Sequence, residues 1–459
     1  MKHRGRHRRR HRGRALRAAL TGAALALTGA ATLISTSQAA GGDNPGGLTR
    51  ITSAHRMAQF RLHENLTDRG TLDTLTRSLG GGVGVHDVLA SADHTLRDRS
   101  GCDSSETAAL PVKPTAARAY CWDRDDATTT QWMPRSVTTS DGAGTDGRWG
   151  PDRVILSGWT HPHHRSGGPD ADQGLARIAF IDANDPARLA YRWVLLVVPR
   201  AGGKDFTPVR TRMSGMVWRQ DKLLVTARDS LLVFDLRRIL RANVDSAAVG
   251  RVEGGYAAHG NRYVLPAVGS YRLTQGPCSR TDDRAAPCFA ALSLDSTTTP
   301  SSGSLVAGEQ VTRTNPSRTA RVWRYAYSAE PGRGGLLATD ERGDVRATEA
   351  YETEASRVRG VVSYRRTPAA QPDWYIDRTP TVGGRPGTLW RQNTSGAKAA
   401  TCAADGTYAC WGRHTASLSY ARTTDELWTL TEGVADTDGQ ATGRVLYAVP
   451  LESVTESLE

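Results

Sequence analysis

Three stretches of this chain read as variants of one pattern, and that repetition limits the possible folds more than any other feature. The first is Gly215-Met-Val-Trp-Arg-Gln-Asp-Lys-Leu-Leu-Val-Thr226, continued by Ser230-Leu-Leu-Val-Phe-Asp-Leu236. The second joins Gly360-Val-Val-Ser-Tyr364, Asp373-Trp-Tyr-Ile-Asp377 and Gly387-Thr-Leu-Trp-Arg391. The third joins Ala416-Ser-Leu-Ser-Tyr420, Asp425-Glu-Leu-Trp-Thr-Leu430 and Gly443-Arg-Val-Leu-Tyr-Ala-Val449. Each starts on a small residue and alternates short apolar strands with Gly, Asp and Thr turns, the signature of an antiparallel meander. One such sheet cannot cover both its faces, so copies must stack, and stacked meanders close into a ring. Looser starts lie near Val137, Val264 and Val322 at uneven spacing. The expectation is therefore an all-β, six-bladed β-propeller over residues 120–459, with five or seven blades also compatible. Two tandem β-sandwiches would satisfy the strand and turn signals alone, but would not require the three-way match.

Aromatic residues mark where this region begins. All 11 Trp and 13 Tyr lie at or beyond residue 120, whereas residues 40–119 contain only Phe60. That earlier stretch reads as a helical arm and linker. Ser53 can cap a helix through His63, and Leu72, Leu75 and Leu79 share one face of a second helix, ended by Gly80-Gly81-Gly82.

Residues 1–39 have the form of a secretory leader. Nine cations (Lys2, Arg4, Arg6, Arg8, Arg9, Arg10, Arg12, Arg14 and Arg17) precede an apolar run from Ala18 to Ile34, and Ser37-Gln38-Ala39 offers a small-residue cleavage site. The expected destination is extracellular, with no stable membrane span after cleavage; an uncleaved leader would instead tether the protein to the membrane. Removal of the leader lowers the net charge from +12 to about +3. That leaves no global electrostatic attraction for nucleic acid. Six cysteines in an exported chain suggest disulfides, and clustering favours the pairs Cys102–Cys121, Cys278–Cys288 and Cys402–Cys410. Each would add ~2–3 kcal/mol by restricting the unfolded chain.

Chemical motifs are scarce. The chain lacks G-x-S-x-G, H-E-x-x-H, a phosphate-binding G-x-x-x-x-G-K-[ST] and a calcium loop, and no cofactor is expected. His161-Pro-His-His164 could place His161, His163 and His164 near a metal, with Asp170 or Asp172 supplying oxygen; a solvated loop is the alternative reading. Trp218, Tyr364 and Tyr420 occupy corresponding places on inner strands. They could stack on a ring-shaped ligand in a channel, or be buried between blades, as aromatic residues commonly are.

At these segments the chain resembles a group of uncharacterised exported proteins of filamentous soil bacteria. The likeness is carried by Trp132-Met-Pro-Arg-Ser-Val-Thr-Thr-Ser140, by Gly215–Asp235, and by Leu418-Ser-Tyr420 with Glu426-Leu-Trp-Thr-Leu-Thr-Glu432. It spans about residues 120–450 and implies a propeller-like fold with no established activity. Met213-Ser214-Gly215 departs from the group's His-Ala-Gly-Gly, so that histidine has no counterpart here. The functional expectation is an extracellular binding or interaction protein for an unknown ligand, either a carbohydrate or a cell-surface component. The alternative is a hydrolase or lyase whose site is assembled in the channel.

Overall fold

Strands with alternating apolar residues need cover on two sides, and here neighbouring sheets supply it. The computed structural model describes residues 44–162, 172–282, 284–297, 303–311, 319–367, 369–380, 384–402, 407–435 and 440–458. The leader, His163, His164 and Asp170 lie outside that set. Within it the strands include five four-stranded antiparallel sheets, and the outer strands of the first two, Ala190–Pro199 and Tyr263–Leu273, also pair with each other in parallel. From the inside outward, the first contains Met133–Thr139, Val154–Thr160, Ala176–Asp182 and Ala190–Pro199. The second contains Met216–Arg219, Lys222–Thr226, Ser230–Asp235 and Tyr263–Leu273. The third is Phe289–Asp295, Ser304–Glu309, Ala320–Ala326 and Ala347–Thr353, and the fourth is Val358–Tyr364, Asp373–Arg378, Thr388–Asn393 and Gly396–Lys398. The fifth takes Thr415–Ala421, Glu426–Thr431 and Val445–Pro450 from the C-terminal end, then Arg118–Cys121 from much earlier in the chain.

Alternation along each strand divides its side chains between two interfaces. Met216, Trp218, Leu223 and Val225 face the first sheet, whereas Val217 and Leu224 face the third. Five of the six apolar cores among the described residues lie between inner parts of neighbouring sheets, one and two, two and three, three and four, four and five, and five and one; the sixth packs Leu75 on the outer strands of sheets one and two. A row of five sheets has four interfaces, and only a closed ring has five. The fold is a β-propeller.

The small residue that starts each repeat has a steric cause. A Cβ on Gly360 would lie 2.7 Å from the Leu418 side chain of the next inner strand, and one on Gly215 would run into the backbone of Leu292. Neighbouring inner strands can meet closely only without those side chains.

Two sequence expectations change. The starts near Val264 and Val322 are not innermost strands. Val264 belongs to the outer strand Tyr263–Leu273, and Val322 to the third strand of sheet three. The described strands therefore make five sheets where six starts had been counted. The third sheet begins instead at Phe289-Ala-Ala-Leu-Ser-Leu-Asp295, which carries neither the glycine nor the tryptophan found at the inner strand of sheet two.

Residues 44–119 are likewise not an appended arm. Thr49–Arg50 extends sheet three, Leu62–Leu66 extends sheet two, and Arg97–Asp98 lies beside the closing strand of sheet five. The helix expected from Ser53 shrinks to Ala54–Met57 and a 3-10 turn, Ala58–Phe60. Pairing of the following residues with Tyr263–Leu273 takes precedence over local helix preference. The second helix forms at Arg69–Ser78. Asp68 caps it by accepting from the Thr71 amide at 2.8 Å, and Leu72 and Leu75 are buried.

All three disulfides pair as expected, Cys102–Cys121, Cys278–Cys288 and Cys402–Cys410. Among the described residues no helix is long and apolar enough to cross a membrane.

Candidate functional site

Irregularities cluster at the starting ends of the inner strands. In sheet one the ladder skips between Pro134 and Ser136, leaving Arg135 as the extra residue. In sheet four it skips between Val358 and Gly360, leaving Arg359. The third sheet has a similar bulge at Ala290, and the fifth has one between Ala416 and Ser419. A bulge twists a strand and re-aims the extra side chain. Arg135 and Arg359 both reach Glu432, which follows the strand Glu426–Thr431, at 2.5 and 3.3 Å. Burial alone would raise the Glu432 carboxyl, but these guanidiniums hold it below the usual glutamate range.

A second carboxyl nearby behaves in the opposite way. Asp377 is fully buried on Asp373–Arg378, and burial pushes its pKa up to about 7 against the opposing pull of Arg359. One oxygen accepts a hydrogen bond from Thr415 at 2.8 Å; the other has no partner among the described residues. His414 lies next in sequence to Thr415. Burial lowers its pKa, and its Nε2 has no hydrogen-bond partner among the described residues.

Beside this group a cavity of about 590 Å³ opens between sheets two and three. Arg212 enters it from the segment before Met216–Arg219, Arg228 from the turn between Lys222–Thr226 and Ser230–Asp235, and Arg280 from the loop closed by Cys278–Cys288. Ser214, Thr226, Ser279 and Thr281 add hydroxyls to the wall. Arg212, Arg228 and Arg280 make no ion pair or side-chain hydrogen bond among the described residues. Burial lowers the pKa of Arg212, and Arg135 and Arg359 depress it further. Burial likewise lowers Arg280, aided by Arg212, Arg228 and Arg359. With Arg210, which also lines the cavity and donates to the Gln173 carbonyl at 2.7 Å, six guanidiniums thus share one region in which Glu432 is paired with two of them. Glu309, the other acid in range of Arg280, already takes both forks of Arg321 at 2.7 and 2.9 Å.

The residues singled out from sequence lie elsewhere. Trp218 is buried in the core between sheets one and two, with its ring nitrogen donating to the Gln220 carbonyl. Tyr364 and Tyr420 meet edge to face at 5.5 Å in the core between sheets four and five, and Tyr420 donates to Asp425 at 2.8 Å. None of the three lines the arginine cavity. His161 is buried against the edge of Trp132, centroids 5.6 Å apart; its neighbours His163 and His164 are outside the described residues.

Among the described residues two groups have metal-like composition, and His161 is in neither. Cys102, Glu106 and Cys121 include a disulfide. In the group His94, Asp123 and Asp126, Asp126 already accepts from Tyr191 at 2.7 Å, Trp193 at 3.2 Å and Arg177 at 2.9 Å. That group is a half-buried hydrogen-bonded network rather than an open ligand set. Sequence reasoning missed the arginines. Their one local signal is position: Arg359 directly precedes the small residue that starts a repeat, and Arg212 lies three residues before Gly215.

No family model matches the chain, and no curated protein does. Among solved structures it is similar to a mutant β-fructofuranosidase of Microbacterium saccharophilum K-1. The two are 10% identical over 89% of this chain and 84% of that one, with a TM-score of 0.35. A likeness of that size carries no argument about chemistry.

Proposed function

We propose that this protein is an extracellular binding module that takes up an anionic ligand, carbohydrate or cell-surface in origin, at the arginine-lined end of its propeller. One observation carries the reading: Arg212, Arg228 and Arg280 surround a cavity of about 590 Å³ without an acidic partner among the described residues. Clustered cations repel one another and are costly to keep partly dehydrated, so an anion that fills the space relieves both penalties. Secretion fits the leader-like residues 1–39 and the three disulfides.

The test is a binding panel of acidic and neutral polysaccharides and cell-wall fragments, run on the purified mature chain. Acidic members are expected to bind, with affinity falling as salt increases, and to lose affinity in Arg212→Ala and Arg280→Ala. Equal binding of neutral and acidic members would end the proposal.

The contrast between Asp377 and Glu432 favours a second reading. Two carboxyls whose surroundings push their proton affinities apart resemble the acid and base of a hydrolase or lyase. New chain ends after prolonged incubation of the same panel would support that reading, and their absence would remove it.

A further inference from the structure

The identity of the anion can be narrowed, on the reading that the arginine cavity binds one. We propose that the cavity between sheets two and three takes a phosphate monoester carried on a sugar-sized body. Three features of the site lead to this.

Charge comes first. Arg212, Arg228 and Arg280 bring three positive charges from three separate segments, and no acid among the described residues pairs with them. A carboxylate offers one charge and two oxygens. Glu432 illustrates what that suffices for, since its single carboxylate is occupied by Arg135 and Arg359. A phosphate monoester brings −1.5 to −2 charges and three terminal oxygens, one for each guanidinium. A sulfate ester has the same shape but only one charge.

Size comes second. The cavity, about 590 Å³, falls within the range of small-molecule sites and is far larger than a bare oxyanion needs. Ser214, Thr226, Ser279 and Thr281 on its wall suit the hydroxyls of a sugar.

The third feature argues against a nucleotide or nucleic acid. Among the described residues Phe289 is the one aromatic side chain in the cavity lining, and it is buried in the core between sheets two and three. The described residues therefore present no flat ring on which a base could stack.

The pH response separates phosphate from every monoanion. The second phosphate proton returns near pH 6, so a dianion weakens to a monoanion on acidification. The protein's own groups near the cavity act in the other direction. His414, with its lowered pKa, gains charge only on acidification, and Asp377 and Glu432 can only lose negative charge; all three changes favour an anion at low pH. Arg135, Arg210, Arg212, Arg228, Arg280 and Arg359 stay charged throughout, and Glu309 is held by Arg321. Weaker binding in acid can therefore come only from the ligand.

The experiment is calorimetric titration of the mature protein with glucose 6-phosphate, glucose 6-sulfate, glucuronate and orthophosphate, at pH 7.5 and pH 5. The phosphate ester is expected to bind tightest and to weaken about tenfold at pH 5, while the sulfate ester does not weaken. Arg212→Gln, Arg228→Gln and Arg280→Gln should each cost about tenfold or more, as loss of a charged hydrogen bond does; Arg280→Lys should recover part of that. Thermal unfolding within a few degrees of the parent shows that each variant has kept its fold.

Equal affinity for glucuronate or the sulfate ester, with no pH response, overturns the phosphate assignment and leaves the anion-binding reading intact. Orthophosphate binding as tightly as the ester overturns the sugar-sized body. Phosphate binding that survives all three Arg→Gln substitutions overturns the site. Failure of every anion to bind overturns both this inference and the reading beneath it.

Discussion

Asp377 keeps its proton where an ordinary aspartate would have lost it, and that makes it measurable. The unfolded side chain ionises near pH 4, while the folded one holds on to about pH 7 because burial disfavours the charge. Between those values the folded state carries the extra proton, so stability falls as pH rises, by up to ~1.4 kcal/mol per pH unit. Asp377→Asn removes the titration yet keeps an oxygen for the Thr415 hydroxyl. The variant should therefore gain stability relative to the parent progressively from pH 4 to 7, as read by urea denaturation across that range. A difference that stays flat with pH would sink the idea. Little at this scale was legible in the sequence. The arginines at the cavity come from a pre-strand segment, a turn, a disulfide loop and two bulges, and no linear spacing connects such places. The aromatic residues stand out by size and number, but that prominence reflects their role in packing: Trp218, Tyr364 and Tyr420 all sit between sheets.

At the scale of elements, the small residue at the head of a repeat is the feature that allows inner strands to converge. In Gly360→Ala the new methyl would meet Leu418 and the Ser417 backbone of the neighbouring inner strand, which cannot move without opening the core between sheets four and five. The expected cost is roughly 1–3 kcal/mol, as for other overpacked interiors. Denaturant unfolding would measure it, and a variant as stable as the parent would mean that the strands are not held as closely as their register implies. The same glycine is why sheets two and four could be read from sequence, and Ala416 does the same for sheet five. Sheet three was misplaced because Phe289–Asp295 opens on Phe-Ala-Ala, with no glycine or tryptophan to mark it. Strand pairing was also invisible for Leu62–Leu66 and Arg118–Cys121, whose partners are about 200 and 325 residues away. Short strands of that kind take their conformation from the partner they meet.

For the whole molecule, net charge and local charge say different things. Residues 40–459 sum to about +3, which gave no hint of a cationic site, because acids spread over the rest of the surface cancel the arginines gathered at one end of the ring. Closure is the other property visible only at this scale. The last sheet would have three strands if it relied on the C-terminal end of the chain. Arg118–Cys121 supplies the fourth by pairing with Val445–Pro450, so chain segments from opposite ends meet in one sheet. Cys102–Cys121 anchors that strand to the segment before it. A chain that starts at residue 123 would lack this strand, leaving the backbone of Val445–Pro450 as an unpaired edge open to pairing with another molecule. It would also lose Tyr120 and Trp122 from the core between sheets five and one. The shortened chain should therefore associate or unfold without a sharp transition, whereas a chain starting at residue 44 should elute as a single species and melt cooperatively. Size-exclusion chromatography with calorimetry distinguishes the two cases. A monomeric, cooperatively melting chain from residue 123 would mean that the ring holds without the early segments and that they only decorate it.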